Sequence, residues 1–478
     1  MKYVLLFVLA IPCLAQTDAS DWGRIGFGAF ITSTATDYQC VGINPANLGF
    51  VPTEDIYRLA TPVSTGISRS KRNWSFTVGE ASVSASSDAL RRGELWDALT
   101  QKTAANFTTD EKRAAAQAFI DNGLRFSVDV MAVGAAYQSE HWGGVAISVR
   151  ERVAGTFTFN EAASRLIFEG RHYSYFDSLA LDYKGDTVGY AKKPLYFSEL
   201  FGGTRLQMIW FRDVGLSYGL NVAEVGDVHV YLGASARYLM GYAYLNAYTE
   251  NSTLRATSAL SPFFGINYGK ATTPSFIPGN AFEPVGTGWG LDLGATVTIG
   301  DAITISGSVI DLGAITWSGN VFTAQDTILN GLTSTGFNSY NLFKEAPKIT
   351  GQGNFFKWEG LQGSKAALPS RVRIGSSYRY SSIWRFGFDA VFPFNQEAGA
   401  LGEPVVAAGF DVRPYPWLRI SSGFGGGGNA GYFVPLSVNF SLFNGIWELG
   451  LSSRDIATFV FDKSPVLSVT IGIARIRL

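Results

Sequence analysis

The side chains best suited to acid–base, nucleophilic or metal chemistry are few: three histidines, His141, His172 and His229, and two cysteines, Cys13 and Cys40. A histidine acting as general base needs a hydroxyl, thiol or carboxylate within hydrogen-bond reach. His141 stands in a short turn before Trp142-Gly143-Gly144, His172 beside Arg171 in a loop, and His229 at the start of a strand, so no spacing links any of them to a nucleophile. Cys40 lacks a His or Cys at ligand spacing, which leaves metal and thiol chemistry unsupported. Gly423-Phe-Gly-Gly-Gly-Gly428 satisfies G-x-G-x-x-G, but a dinucleotide loop must lead from a strand into a helix. Strand-like residues flank it on both sides (Leu418 and Ile420 before, 432–442 after), so it reads as a glycine hairpin. The chain reads as a protein that is not an enzyme and carries no metal and no cofactor.

A second set of residues points to a lumen rather than to a reaction. Arg205, Arg237, Asp292, Arg371, Arg373, Asp389, Asp411 and Arg413, with Arg379, Arg385, Arg419 and Glu448, occupy the polar face of alternating segments and mix both signs. Charges in a dry interior must be paired, whereas a wide aqueous pore leaves them solvated. Paired ladders imply a narrow, plugged interior.

The elements that position these charges follow from period-two alternation, which puts one set of side chains in apolar surroundings. In 227–245 the even positions Val228, Val230, Leu232, Ala234, Ala236, Tyr238, Met240, Tyr242 and Tyr244 are apolar, opposite His229, Ser235, Arg237 and Gly241. In 289–300 Trp289, Leu291, Leu293, Ala295, Val297 and Ile299 oppose Asp292, Thr296 and Thr298. The pattern returns at 371–380, 384–392, 406–413 and 434–441. A soluble sandwich also alternates, but its strands run about 5–6 residues. A membrane barrel needs about 9–11, with apolar residues toward lipid, aromatic girdles and a polar inside. Because hydrocarbon offers no hydrogen-bond partners, sheet in lipid must close on itself. The expectation is an all-β fold, a transmembrane antiparallel β-barrel of about fourteen strands, an even number.

Composition agrees. Aromatic residues reach 14% and charged residues only 16%, with 54 glycines and a net charge of −1, against about 25% charged in soluble domains. Near-neutrality without a basic block excludes nucleic acid as partner. Lys2, the apolar run 3–10 and Ala15 read as a signal peptide over 1–15 with cleavage after Ala15; a lipid-modified Cys13 is the competing reading, disfavoured by Pro12. Export leaves Cys40 alone and no intramolecular disulfide. No apolar run of about 18 residues follows to make a membrane helix.

Two regions break the alternation. Segments 86–101 and 108–122 look helical, the second opening with the capping box Thr108-Thr-Asp-Glu111 and closing at Asn122-Gly123. This helical insertion, about 86–122, would dock inside the barrel or at one mouth through Leu95, Trp96, Leu99, Phe119 and Ile120; a surface or periplasmic hairpin is the alternative. Long polar stretches at 250–284 and 319–368 suit extracellular loops. In the last strand, 466–478, the apolar parity switches near Ala474, as a bulge would produce. Its apolar terminus suits a recognition strand for the barrel-assembly machinery.

Before the first strand, "DYQCVGINPANLG" (37–49) follows the Gly/Ala-rich 26–30. With "WGGVAISVRERV" (142–153), "ELFGGTRL" (199–206), "SVIDLGAITW" (308–317), "ALPSRVRIGSSY" (367–378), "FDAVFPFN" (388–395), "RPYPWLRISSG" (413–423) and "LSSRDI" (451–456), it resembles an uncharacterised outer-membrane branch of the FadL/TodX and PorV-like clan. The resemblance implies residence in the outer membrane among its lipids. It also implies that residues 16–54 fold into the barrel 55–478 as a hatch, where protein and water tolerate irregular backbone. An ordered periplasmic lead-in is the alternative. Asn44, Pro45, Ala46 and Asn47 are the hatch residues; Val41, Ile43, Leu48, Phe50, Trp96 and Phe119 would line an apolar path. The function implied is passive uptake of hydrophobic small molecules. The alternative is a non-transporting barrel that docks secretion or assembly complex proteins, as in the PorV-like relatives.

Overall fold

The computed structural model describes residues 27–50, 73–87, 107–121, 123–139, 141–266, 268, 271–339, 357–428, 431–456 and 466–478. The signal peptide, residues 16–26 and 51–54 of the expected hatch, barrel residues before 73, and Leu95, Trp96 and Leu99 with nearly all of the first expected helix lie outside them.

Fourteen antiparallel strands close into one barrel. In chain order they are β1 (Trp74–Ser86), β2 (Leu124–Ser139), β3 (Gly143–Thr158), β4 (Arg205–Val225), β5 (Val228–Glu250), β6 (Gly286–Ile299) and β7 (Ile303–Trp317). The ring continues with β8 (Arg371–Arg379), β9 (Trp384–Pro393), β10 (Val405–Tyr415), β11 (Leu418–Gly427), β12 (Leu436–Leu442), β13 (Trp447–Ser453) and β14 (Val466–Arg477). Each strand pairs with its sequence neighbours, and β14 returns to β1, where Trp74 and Leu478 exchange backbone hydrogen bonds of 3.0 and 2.9 Å. Closure leaves no edge in the wall, so backbone polar groups facing lipid are satisfied.

The alternation sorts the faces as expected. Val78, Val133, Ile147, Leu216, Leu232, Leu291, Leu293, Ile374 and Leu451 are exposed large hydrophobics, the belt that a bilayer covers. Trp74, Tyr137, Trp142 and Tyr218 form a run of contacting outward rings, with centroids 4.7, 5.5 and 6.4 Å apart. They lie at the end where turns such as 226–227, 300–302 and 416–417 are short. By the rule that periplasmic turns are short, this is the periplasmic end.

One expected face is corrected. Tyr244 does not continue the outward set of β5, because the pairing with β4 shifts between Trp210–Ala243 and Phe211–Gly241, with Tyr242 as the extra residue. The bulge sends Tyr244 inside to stack on Trp317 at 5.2 Å, since one inserted residue inverts every side chain beyond it. The bulge expected in β14 is present: Glu448 and Gly450 pair with Arg475 and Gly472, leaving one extra residue on β14.

The expected helical insertion is also adjusted: Ser86 still belongs to β1, and the described helix α1 is Thr109–Asp121. Its capping box forms, with Thr108 N donating to Glu111 Oε2 at 2.6 Å. Helix α2 (Glu161–Glu169) is capped by Asn160, whose Oδ1 accepts from Ala163 N at 2.8 Å. The two helices pack through Ala115, Ala116, Phe119, Leu166 and Phe168 into an apolar cap at the extracellular mouth.

Candidate functional site

Residues Phe27–Phe50 lie inside the barrel, nearly all of them buried. They form an irregular path with two 3₁₀ turns, Asp37–Cys40 and Pro45–Gly49. Proline at 45 opens the second turn, where its missing N–H is not needed. The segment has two seats on the wall.

The first seat is steric and neutral. Gly144, Gly219, Gly233 and Gly294 stand in register across β3, β4, β5 and β6. A Cβ on any of them would collide with the turn: with Leu48 O, Pro45 O, Ala46 N and Asn44 Oδ1 in that order. Glycine here lets one backbone lie directly on another. Amides then fix the turn. Asn44 Oδ1 accepts from Ala46 N at 3.1 Å, and its Nδ2 donates to Thr296 Oγ1 at 2.9 Å. Asn47 Nδ2 donates to Thr32 O and Ala35 O at 3.0 and 2.7 Å, so the two asparagines hold the segment to the wall and to itself.

The second seat is ionic. Asp389 on β9 accepts from Ile31 N, Thr32 N and Thr32 Oγ1 at 2.9, 3.0 and 2.9 Å. Arg373 on β8 donates to Thr32 Oγ1 at 3.0 Å and pairs with Asp389 at 3.4 Å. Asp37 pairs with Arg475 at 2.6 Å, which also pairs with Glu448 at 2.6 Å. Tyr38 Oη donates to Glu80 at 3.2 Å; burial, and then the Glu80 carboxylate, push its phenol well above the ordinary value. Gly387, Gly409 and Gly423, again in register, leave room for Ala29 and Phe30.

Toward the extracellular side lies a buried ionic layer. Arg237 pairs with Asp292, Asp311 and Asp213 at 2.7, 2.8 and 3.5 Å, and Arg152 and Arg371 pair with Asp311 at 2.7 and 3.2 Å. An apolar layer of Phe211, Leu239, Tyr244, Trp317 and Leu368 follows. Toward the periplasm the hatch faces a polar vestibule of about 570 Å³.

Asn44, Pro45, Ala46 and Asn47 therefore meet at the neutral seat. Val41, Ile43 and Leu48 are fully buried in a packed core with Tyr38, Met131 and Ala146. Phe50 faces the vestibule against Tyr231 at 5.2 Å, Phe119 belongs to the extracellular cap, and Trp96 lies outside the described residues. Arg237, Asp292 and Arg371 join the ionic layer; Arg373 and Asp389 hold the hatch. Asp411 pairs with Arg419, and Arg413 lines the vestibule. Arg205 stands apart near the extracellular end of β4, bonded to Gln396 at 3.4 Å and lying over Tyr248. The sequence reading missed Asp37, Asp129, Arg150, Arg152, Asp213, Asp311 and the glycine rows. Inward parity within β2, β3 and β4 was the available signal for Asp129, Arg150, Arg152 and Asp213, and inward glycine in an alternating strand was the signal for the seats.

The wall and the segment inside it define a membrane-spanning β-barrel closed by its own amino-terminal chain. The chain belongs to the family described as a family of unknown function (DUF5723), whose model matches residues 67–443. Solved structures similar to it include the Ralstonia pickettii toluene transporter TbuX (11% identity, 97% of this chain and 99% of that chain, TM-score 0.44). Others are the Pseudomonas putida toluene transporter TodX (10%, 97% and 98%, 0.40) and a Pseudomonas aeruginosa FadL homologue (10%, 97% and 96%, 0.38). No curated protein matches the chain.

Proposed function

We propose that this protein sits in the bacterial outer membrane, after removal of a signal peptide, and admits hydrophobic small molecules by passive uptake, with Phe27–Phe50 as the closed hatch. The observation that carries this reading is that closure is made by a separate segment, resting on glycine rows and a few polar anchors. It can leave its seat without opening the wall. A lateral exit has a natural place beside it. The ladder between β1 and β14 is interrupted between Thr77–Arg475 and Ala81–Ile471, around Gly79, whose φ is 72°, and this gap lies next to Tyr38 and Glu80.

A second reading, a docking barrel for secretion or assembly proteins, draws support from the filled lumen and from the small extracellular sheet of Ser178–Leu181, Thr187–Tyr190 and Gly331–Leu332. That sheet and its connection expose Leu179, Leu181 and Tyr183.

Uptake of a radiolabelled hydrophobe into proteoliposomes, with mass spectrometry of small molecules and proteins that co-purify, separates the two. Uptake above empty liposomes together with a bound hydrophobe supports the channel. Stable protein partners with no bound hydrophobe and no uptake would overturn it in favour of docking.

A further inference from the structure

We infer that Arg454 is the seat of an oxyanion-binding site on the extracellular side of the hatch, taking a carboxylate-type group either free or as the head of an amphiphile. This deepens the uptake reading, on which it rests only for the route by which the ligand arrives. Arg454 follows β13 in the stretch "LSSRDI" and continues the inward row of Glu448, Gly450 and Ser452. It is 2% exposed, and among the described residues none of its three guanidinium nitrogens has a hydrogen-bond partner. The buried Arg150, Arg237 and Arg475 differ, since each holds a carboxylate.

The surroundings do not compensate this charge. Among the described residues Asp455 is the one charged group that acts on it, and that carboxylate turns to the backbone, accepting from Val434 N at 3.0 Å. The registers of β12 and β14, continued beyond Leu436–Ser453 and Ser452–Thr470, bring Pro435 and Ser468 alongside, neither of them acidic. What Arg454 does touch is the face of Phe433, 4.5 Å from the ring centroid. A ring face returns only part of the hydration that a buried guanidinium gives up, and a guanidinium cannot shed its charge by deprotonation. The site is therefore short of an anion. Phe433 in turn packs with Ala29 and Phe30 of the hatch and with Val391, Leu401 and Val405. The cation stands at the edge of an apolar cluster that the hatch completes. Its planar fork suits the two oxygens of a carboxylate, and withdrawal of Ala29 and Phe30 would free an apolar wall beside it for attached hydrocarbon. A wholly neutral hydrophobe would leave the guanidinium as it is, so the ligand class carries an oxyanion.

Isothermal titration of the purified full-length protein in a neutral maltoside detergent tests the site, with acetate as the free-anion probe, benzoate as the amphiphilic probe and chloride as the background salt. Saturable binding of at least one probe with a Kd below about 1 mM is expected. Equal affinity for the two identifies a free anion as the ligand, and tighter binding of benzoate identifies an amphiphile. Arg454→Met should weaken binding by about tenfold or more through loss of charge-assisted bonds. The bound probe should also raise the unfolding midpoint of wild type and not that of Arg454→Met, a difference that packing of Arg454 on Phe433 alone would not produce. Arg454→Gln supplies the same readouts if the Met variant fails to fold, as judged by heat-modifiable migration. Arg205→Gln, on a different part of the wall, should leave the Kd unchanged. Binding of neither probe at about 10 mM, or an unchanged Kd in a folded Arg454 variant, would overturn the inference. Proteoliposome uptake is not part of the readout, so failure here and failure of the channel reading are separable.

Discussion

The two seats of the hatch solve one problem by different means. On the β3–β6 side, Asn44–Leu48 rests on a glycine row and is held by neutral amide bonds, whereas on the β8–β14 side Thr32 and Asp37 are held by carboxylates and guanidiniums. The neutral seat depends on volume, and the ionic seat on charge. Adding one methyl group should break the first and spare the second, and removing one charge should do the reverse.

The largest effect is expected at the ionic seat. Asp389→Ala removes the buried carboxylate that pairs with Arg373 and accepts from the Ile31 and Thr32 amides. Stranding a buried partner costs about 3–5 kcal/mol, measurable as a lowered guanidinium unfolding midpoint in detergent together with faster proteolysis of the hatch. Gly233→Val should cost about 1–3 kcal/mol by overpacking against Pro45 and Ala46. It should raise conductance in planar bilayers with little change in unfolding between low and high pH. If both variants showed the same pH dependence, the contrast between the seats would fail.

Smaller effects sharpen it. Asn44→Ala removes the cap on Ala46 and the bond to Thr296, for an expected loss of about 0.5–2 kcal/mol in the same unfolding assay. Tyr38→Phe should cost only about 1 kcal/mol near neutral pH, but it tests a sign. The Tyr38 phenol is raised above its ordinary 10.0 in the folded protein, so the unfolded chain loses that proton first. The stability tied to it is present below pH 10.0 and lost as pH climbs above that value. Unfolding of wild type against Tyr38→Phe across that range should show the extra slope in wild type alone.

Much of the wall was legible. Period-two alternation named the outward residues of β6, β8–β10 and β12, because lipid and lumen impose opposite demands on neighbouring positions. The switch in β14 likewise announced its bulge. The bulge that turns Tyr244 onto Trp317 was not legible, since Tyr242 and Tyr244 keep the parity of the residues before them and only pairing with β4 shifts the ladder. Asp292 and Arg237 were visible as inward charges, but not their common partner Asp311, which reaches them from a bulge in β7 at φ 61°. Arg205 carried the same parity as luminal residues and still fell at a rim, because parity states a side and not a height.

Sequence by itself determined that the chain builds a closed, lipid-facing sheet with a polar inside, since alternation is local and the need to satisfy every backbone group in hydrocarbon admits no other answer. Only the tertiary structure decided how that inside is filled. The glycine rows become a seat, and Asp389 becomes an anchor, only when strands hundreds of residues away close around residues 27–50. Contacts at such separation depend on strand register and barrel closure, which no short stretch of sequence encodes.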